Sequence, residues 1–442
     1  MNERLHQRIL SFIRGHAYRI IGLATVGFLA VIAIVVILLL PSASEYVTLK
    51  TTEPLEIGSP AFITALATAT HGTVQTGDIP TILNNGDEFI PAVVASINQA
   101  KQSINITNFI WTKGSFSDQL FTALDAAAKR GVQVRILVDA IGTGSGMPDT
   151  QVKELEALGG KVETFRPISL LNLDLFYRRD HRRVVVIDGE TAYTGGIAFD
   201  DAWLGNGITT GLWRDMMFEV HGAVAQDLQG VFSDIWVETT GEVIAGSAFY
   251  PLAPLSPHGG AATYVEIFSA PTGYFQSVRD AFTLSILSAK KSLYITNTYL
   301  LPDSETMKLL EEKARDGVDV RILVPGSDND GEFAEYAGEL NYDALLTAGV
   351  KIYVYDNLIH TKTITVDGVW SLIGSANFDN RSRALNDEDV LGVASPQFAS
   401  ELQSTFMNDL THAKEINLQE WEKRGWFSRL RSRICSLFAK QL

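Results

Sequence analysis

The sequence predicts an α/β protein built from two related halves, and three observations carry that prediction. The first is an internal repeat. The segments "AVVASINQAKQSINITNFIW", "LDAAAKRGVQVRILVD", "LEALGGKVETF" and "HRRVVVIDG" return later, in the same order, as "AFTLSILSAKKSLYITNTYL", "LEEKARDGVDVRILVP", "LLTAGVKIYVY" and "HTKTITVDG". Repetition on this scale marks duplicated structural units. The second is the pattern inside each unit. Apolar strands such as Val134–Val138 and Val320–Val324, broken only by Arg135 or Arg321, alternate with helix-period segments. Such strands belong to sheets covered on both faces. The third is a histidine motif that closes the repeated block in each half.

Taken in order, the chain opens with Arg4, Arg8, Arg14 and Arg19, opposed only by Glu3, followed by an uncharged run from Ile20 to Leu40. At 1.5 Å per residue that run spans a hydrocarbon core of roughly 30 Å. Residues 1–44 are therefore expected to be a basic N-terminus and one transmembrane helix. A cleaved signal peptide, cut near Ser42-Ala43-Ser44, is the rival, and the length of the run favours the anchor. The positive-inside rule then places the N-terminus in the cytoplasm and the body across the membrane.

Residues 45–240 form the expected first half. Gly58 to Asn84 is its least regular stretch and is expected to cover part of that half. Gly131, and Gly317 in the other copy, end helices where a positive φ is needed. Residues 241–262 hold the Pro-, Gly- and Ser-rich connector "VIAGSAFYPLAPLSPHGGAA". Residues 263–421 form the second half. Residues 422–442 form a basic tail in which Trp426, Phe427, Leu430, Ile434, Leu437 and Phe438 interleave with cations. That composition suits an interfacial helix on anionic lipid, or equally a helix packed on the body with a solvated basic face.

Charge and cysteine usage exclude some classes. The formal net charge is −15; residues 1–40 carry +3 and residues 423–442 carry +6, which leaves −24 on the middle. Such a body repels nucleic acid at long range, which ranks a nuclease last among the readings. One cysteine, Cys435, excludes an internal disulfide and a zinc thiolate cluster. The eight histidines are scattered, with no His-Glu-x-x-His pattern, so no metal or other cofactor is expected.

The second histidine motif comprises His360, Lys362, Asp367, Gly374, Ser375 and Asn377; the first comprises His181, Arg183, Asp188, Gly195 and Gly196. Thr363–Val366 and Val184–Ile187 are β-branched runs, so a histidine and a cation two residues apart share one face of an extended chain. Asp367-Gly368 and Asp188-Gly189 read as turns. Small residues at Gly374-Ser375 and Gly195-Gly196 let backbone amides approach a phosphate, and Asn377 adds a donor. Two such half-sites make one phosphoryl-transfer site, with one imidazole attacking phosphorus and the other handling the leaving-group proton.

On these residues the chain resembles the phospholipase D superfamily, and within it the bacterial cardiolipin synthases. "HTKTITVDGVWSLIGSANFDNRSRALNDE", "HRRVVVIDGETAYTGGIAFDDAWLG", "GLWRDMMFEVHG" and "LTHAKEINLQEW" carry the likeness, which spans nearly the whole body. The resemblance implies two phospholipase D-like halves with mixed sheets flanked by helices, an active site at their interface, and a phosphohistidine intermediate without metal. It implies His181 as nucleophile, His360 as acid and then base, and Arg183 and Lys362 on the phosphoryl oxygens. Gly195, Gly196, Ser375 and Asn377 would assist in substrate binding, while Asp188 and Asp367 would order the turns. Arg183 stands where the family has lysine, and Ala198 where it has asparagine. The implied reaction is phosphatidyl transfer between two phosphatidylglycerol molecules at a bacterial membrane. A phospholipase D-type hydrolase and a catalytically silent lipid-binding protein are the alternatives.

Overall fold

The computed structural model describes residues 48–167, 177–252, 261–269, 276–326 and 332–436, with residues 22, 24–28 and 31. No helix among the described residues is long and apolar enough to cross a membrane. The anchor expected over Ile20–Leu40 lies mostly outside them.

The strands before the connector are β1 (Thr73–Gly77), β2 (Thr81–Asn84), β3 (Ser103–Asn108), β4 (Gln133–Asp139), β5 (Lys161–Phe165), β6 (Val184–Ile187), β7 (Thr191–Gly195) and β8 (Met216–His221). Those after it are β9 (Ala262–Ser269), β10 (Ser292–Thr296), β11 (Asp319–Val324), β12 (Lys351–Tyr355), β13 (Thr363–Val366), β14 (Trp370–Gly374), β15 (Glu388–Ala394) and β16 (Ala413–Glu415). They form two sheets, ordered β2-β8-β7-β6-β3-β4-β5 and β1-β9-β15-β14-β13-β10-β11-β12-β16. The run β8-β7-β6-β3-β4-β5 matches β15-β14-β13-β10-β11-β12 strand for strand. In each half the first three strands of the repeat are parallel and joined by helices, while the motif strands pair antiparallel. Both sheets are thus mixed.

The repeat extends to helix ends. In the helix Ser115–Lys129, Phe116, Leu120, Leu124 and Ala127 fall on one buried face at helical spacing. It closes with Gly131 at φ 88° and bonds from Val132 N–H to Ala127 O and from Gly131 N–H to Ala128 O. The helix Ser304–Arg315 closes the same way, with Gly317 at φ 91° and bonds from Val318 to Lys313 and from Gly317 to Ala314. This double bond pattern satisfies carbonyls that a helix end leaves open, and it needs a left-handed residue.

Residues 57–77 precede the first sheet in the chain yet pack with the second. β1 pairs antiparallel with β9, and Phe62 and Leu66 of the helix Pro60–Thr70 join the second half's core. Phe62 meets Trp370 edge-on, with ring centroids 5.0 Å apart. Within Gly58–Asn84, expected to cover the first half, only β2 joins the first sheet. The free edge of β9 takes β1 because both strands can there satisfy their backbone groups.

The halves share a core as well as a border. Val184, Val186 and Phe218 of the first sheet cluster with Ile373, Leu391 and Val393 of the second, under Phe398 and Leu402 of the helix Pro396–Asp409. This apolar layer fixes the two sheets against each other and so fixes the strand ends from which the histidine motifs emerge.

Candidate active site

His181 and His360 immediately precede the motif strands β6 and β13, and each is held by the main chain of the opposite half. His181 N–H donates to Asp387 O at 2.9 Å, and Asp387 N–H donates to Arg179 O at 2.8 Å. His360 N–H donates to Arg214 O at 2.7 Å, and Arg214 N–H donates to Leu358 O at 3.0 Å. These are two short parallel bridges, Asp180 with Asp387 and Arg214 with Ile359. They relate the halves by a pseudo-twofold operation and bring both motifs to one place.

The side chains repeat that exchange. His181 Nδ1 lies 2.9 and 3.0 Å from the two carboxylate oxygens of Glu388, and His360 Nδ1 lies 2.8 Å from Asp215 Oδ2. The β7–β8 and β14–β15 registers place Asp215 and Glu388 at equivalent positions. Arg183 donates from Nη2 to His181 Nε2 at 3.0 Å and from Nη1 to His181 O at 2.6 Å. A guanidinium only donates, so His181 Nε2 carries its lone pair and the ring proton sits on Nδ1, facing Glu388. Lys362 Nζ lies 2.7 Å from His360 Nδ1, and donates to the His360 carbonyl and to Thr298 Oγ1. Asp215 can only accept when ionised, and burial, which opposes ionisation, is outweighed by its bond to His360 and by nearby positive charge. His360 Nδ1 thus faces both an acceptor, Asp215, and a donor, Lys362; with the ring proton on Nδ1 toward Asp215 the ammonium bonds the His360 carbonyl and Thr298 instead, and Nε2 is left for chemistry.

The four motif side chains lie within electrostatic reach of one another. Burial, then Arg183, Lys362 and His360, hold the His181 imidazole well below its ordinary value. Burial and Lys362 push His360 down to about 4, against the pull of Asp215, and Arg183 adds to the depression. Each ring feels the cation of the other half. Both are neutral imidazoles near pH 7, the form that has a nucleophilic or basic nitrogen.

Aromatic walls fix the rings. Phe109 packs edge-on against His181 with centroids 4.9 Å apart. Trp203 and Trp213 of the first half lie 5.2 and 5.7 Å from the His360 ring, and Trp203 Nε1 donates to Asp215 Oδ2 at 2.9 Å.

This constellation falls inside two matched stretches of sequence. The family model described as "Cardiolipin synthase, PLD-like domain" matches residues 93–236 and 283–410, one motif in each. Cardiolipin synthase 1 of Bacillus anthracis is 31% identical over 368 residues, which cover 81% of this chain and 71% of that protein. Cardiolipin synthase A of Proteus mirabilis is 31% identical over 368 residues, covering 82% of this chain and 75% of that protein. The chain belongs to this phospholipase D-like, cardiolipin synthase family. The crystal structure of phosphatidylserine synthase from Haemophilus influenzae Rd KW20 shares the fold, with a TM-score of 0.64 at 14% identity, covering 86% of this chain and 97% of that one.

Within this cardiolipin synthase-family site, the small motif residues lie against the carboxylates. A Cβ on Gly196 would sit 2.2 Å from Asp215 Oδ1. A Cβ on Gly195 would meet Met216 O at 2.3 Å, and one on Gly374 would meet Asp389 O at 2.3 Å. Ser375, the counterpart of Gly196, donates from Oγ to Glu388 Oε2 at 2.5 Å and accepts from Asp389 N–H at 3.0 Å. Gly196 and Ser375 thus seat the two carboxylates that aim the histidines. Asn377 is buried, and neither its Oδ1 nor Arg183 Nε has a hydrogen-bond partner among the described residues. Ala198, which replaces the first-half asparagine, is buried in the apolar core.

Asp188 and Asp367 stand in the left-handed region, at φ 56° and 53°. The Asp188 carboxylate accepts from the N–H groups of Lys101, Gln102 and Ser103, and Asp367 from those of Lys290, Lys291 and Ser292. Their bonds tie each motif turn to the start of β3 or β10. Sequence reasoning named neither Asp215 nor Glu388. The available signal was a carboxylate at the start of the apolar strand that follows each motif, "RDMMFEV" and "NDEDVLGV".

Proposed function

We propose that this chain is a cardiolipin synthase that moves a phosphatidyl group between two phosphatidylglycerol molecules through a phosphohistidine. The observation that carries this reading is the exchange of carboxylates. Each imidazole has its Nδ1 held by an acid of the opposite half, which leaves two Nε2 atoms available to one phosphate.

In the first step His181 Nε2 attacks phosphorus. The bond to the glycerol oxygen breaks, and His360 gives that oxygen its Nε2 proton, so glycerol leaves neutral. Resting His360 is neutral, but the cations that depress it are the groups a phosphodiester anion neutralises. Substrate binding therefore favours the imidazolium that Asp215 stabilises. In the second step a hydroxyl of another phosphatidylglycerol gives its proton to His360 Nε2 and attacks phosphorus, releasing His181 and forming cardiolipin. Arg183 and Lys362 stabilise the charge on the pentacoordinate centre, and the NH2 of the buried Asn377 is the donor proposed to assist them. Arg183, which caps His181 Nε2 at 3.0 Å, releases the lone pair as it turns to the phosphoryl oxygen. No metal or cofactor enters these steps.

The same reading makes Ile20–Leu40 a single-pass anchor in a bacterial plasma membrane, with the body extracytoplasmic. The charge asymmetry around that run supports it. The test is the product. Purified full-length protein given phosphatidylglycerol should release glycerol and form a four-chain lipid, and His181→Ala and His360→Ala should each abolish most turnover. Phosphatidic acid alone would establish a hydrolase, and no product would establish a silent lipid-binding protein.

A further inference from the structure

The helix Trp426–Ser436 has two faces in different surroundings. One is docked. Cys435 is buried and packs with Leu301 and Ala337. Ser432 Oγ donates to Glu339 Oε2 at 2.6 Å, and the Arg431 guanidinium lies 3.4 Å from the centroid of the Tyr336 ring. The other face is open. Trp426 is 75% exposed, Phe427 68%, Leu430 43% and Ile434 50%. Positions 427, 430 and 434 fall on one helical stripe. Lys423, Arg429 and Arg433 are exposed as well, and no acidic residue occurs between Lys423 and Ser436. The sequence left a packed helix and an interfacial helix as alternatives, but here one face packs while the other remains uncovered.

We propose that the open face docks on an anionic phospholipid bilayer, with Trp426, Phe427, Leu430 and Ile434 at the headgroup–acyl boundary and Lys423, Arg429 and Arg433 against lipid phosphates. Charge selects this partner. A cationic, acid-free strip on a chain of net charge −15 complements a negatively charged lipid surface and is set apart from the chain's own acidic body. The position of the docked face gives the contact a purpose. Leu301, which shares a buried cluster with Cys435 and Ala337, follows by three residues Thr298, whose hydroxyl accepts from Lys362 Nζ at 3.1 Å. A helix seated on the bilayer would thereby hold the rim of the site at the lipid surface. This inference rests on the lipid-substrate reading and adds to it a surface remote from the reacting groups.

The test uses the full chain carrying Cys435→Ser and a single cysteine at Phe427, Ile434 or, as an aqueous control, Val243, which is 75% exposed. Each cysteine is labelled with an environment-sensitive fluorophore and read with a neutral aqueous quencher, after reconstitution in vesicles of phosphatidylcholine with or without phosphatidylglycerol. Labels at 427 and 434 should be shielded when phosphatidylglycerol is present, while 243 stays accessible. Arg429→Gln and Arg433→Gln should each weaken that partitioning about fivefold. Phe427→Glu with Ile434→Glu should lower turnover on vesicles and leave turnover on detergent-dispersed substrate unchanged. Labels at 427 and 434 as accessible as 243 in anionic vesicles would overturn the proposal. So would shielding that persists in lipid-free detergent and rises with protein concentration, because a second copy would then be the partner. Shielding by lipid in a protein that forms no cardiolipin would sink the catalytic reading and leave the docking surface standing.

Discussion

Replacing Asp215 with asparagine isolates the device on which the site depends. Asp215 Oδ2 accepts from His360 Nδ1 at 2.8 Å and from Trp203 Nε1 at 2.9 Å, while Oδ1 accepts from Met216 N–H at 2.8 Å. An amide has one oxygen for these two positions. With the oxygen toward Met216, its NH2 faces the indole N–H and the imidazole, and the His360 proton must move to Nε2. With the oxygen toward His360, its NH2 faces the Met216 N–H. Either way a buried donor goes unsatisfied, which costs about 1–3 kcal/mol of stability. The lost charge matters separately, because it stabilises the imidazolium that supplies the proton in the first step and re-forms in the second. A hydrogen bond to a charged group is worth about 1.5–3 kcal/mol, which predicts a fall in kcat of roughly 10- to 150-fold. KM should change little, because Arg183 and Lys362 still hold the phosphate. The assay is glycerol release from phosphatidylglycerol in mixed micelles, with denaturant unfolding in the same detergent to confirm the fold. A folded Asp215→Asn protein with unchanged kcat would refute the claim that this carboxylate aims and charges His360.

Other outcomes follow from the same geometry. Gly196→Ala should cost at least as much activity as Asp215→Asn, because its Cβ would lie 2.2 Å from Asp215 Oδ1; kcat and unfolding measured together show whether the loss is local. Asp367→Ala removes the acceptor of three backbone N–H groups at the turn and should lower stability by about 1–3 kcal/mol, while kcat of the protein that remains folded holds within a fewfold in a low-temperature assay. Acid should destabilise the fold through His360. Its value of about 4 in the fold lies below the ordinary 6.5, so the unfolded chain takes up the proton first. Its contribution is whole above about pH 6.5 and is lost as pH falls toward 4, roughly 3 kcal/mol in all. Unfolding curves at neutral and acidic pH should show a smaller pH-dependent loss in His360→Gln than in the parent protein.

The sequence by itself determined the duplicated α/β architecture, because periodicity, helix-ending glycines and β-branched runs are local properties, and two copies of each make coincidence improbable. It also singled out the residues proposed to carry the chemistry: His181 and Arg183, and His360 and Lys362, stand two apart on extended chain, a relation that needs no tertiary information. Family likeness set the expectation that the two motifs would meet, but no local signal contained the contacts that join them. Asp215 lies 145 residues from His360, and Glu388 lies 207 residues from His181. Their pairing depends on how the two sheets pack through Val184, Phe218, Ile373 and Leu391. The same holds for Gly196 and Ser375, whose small size reads as room for a phosphate until the fold shows a carboxylate filling it. Residues 57–77 were likewise assigned by chain order, whereas an open strand edge and a buried tryptophan decided where they pack. Local pattern fixes what an element is, but which elements touch is decided by apolar burial summed over the whole chain, and that sum exists only in three dimensions.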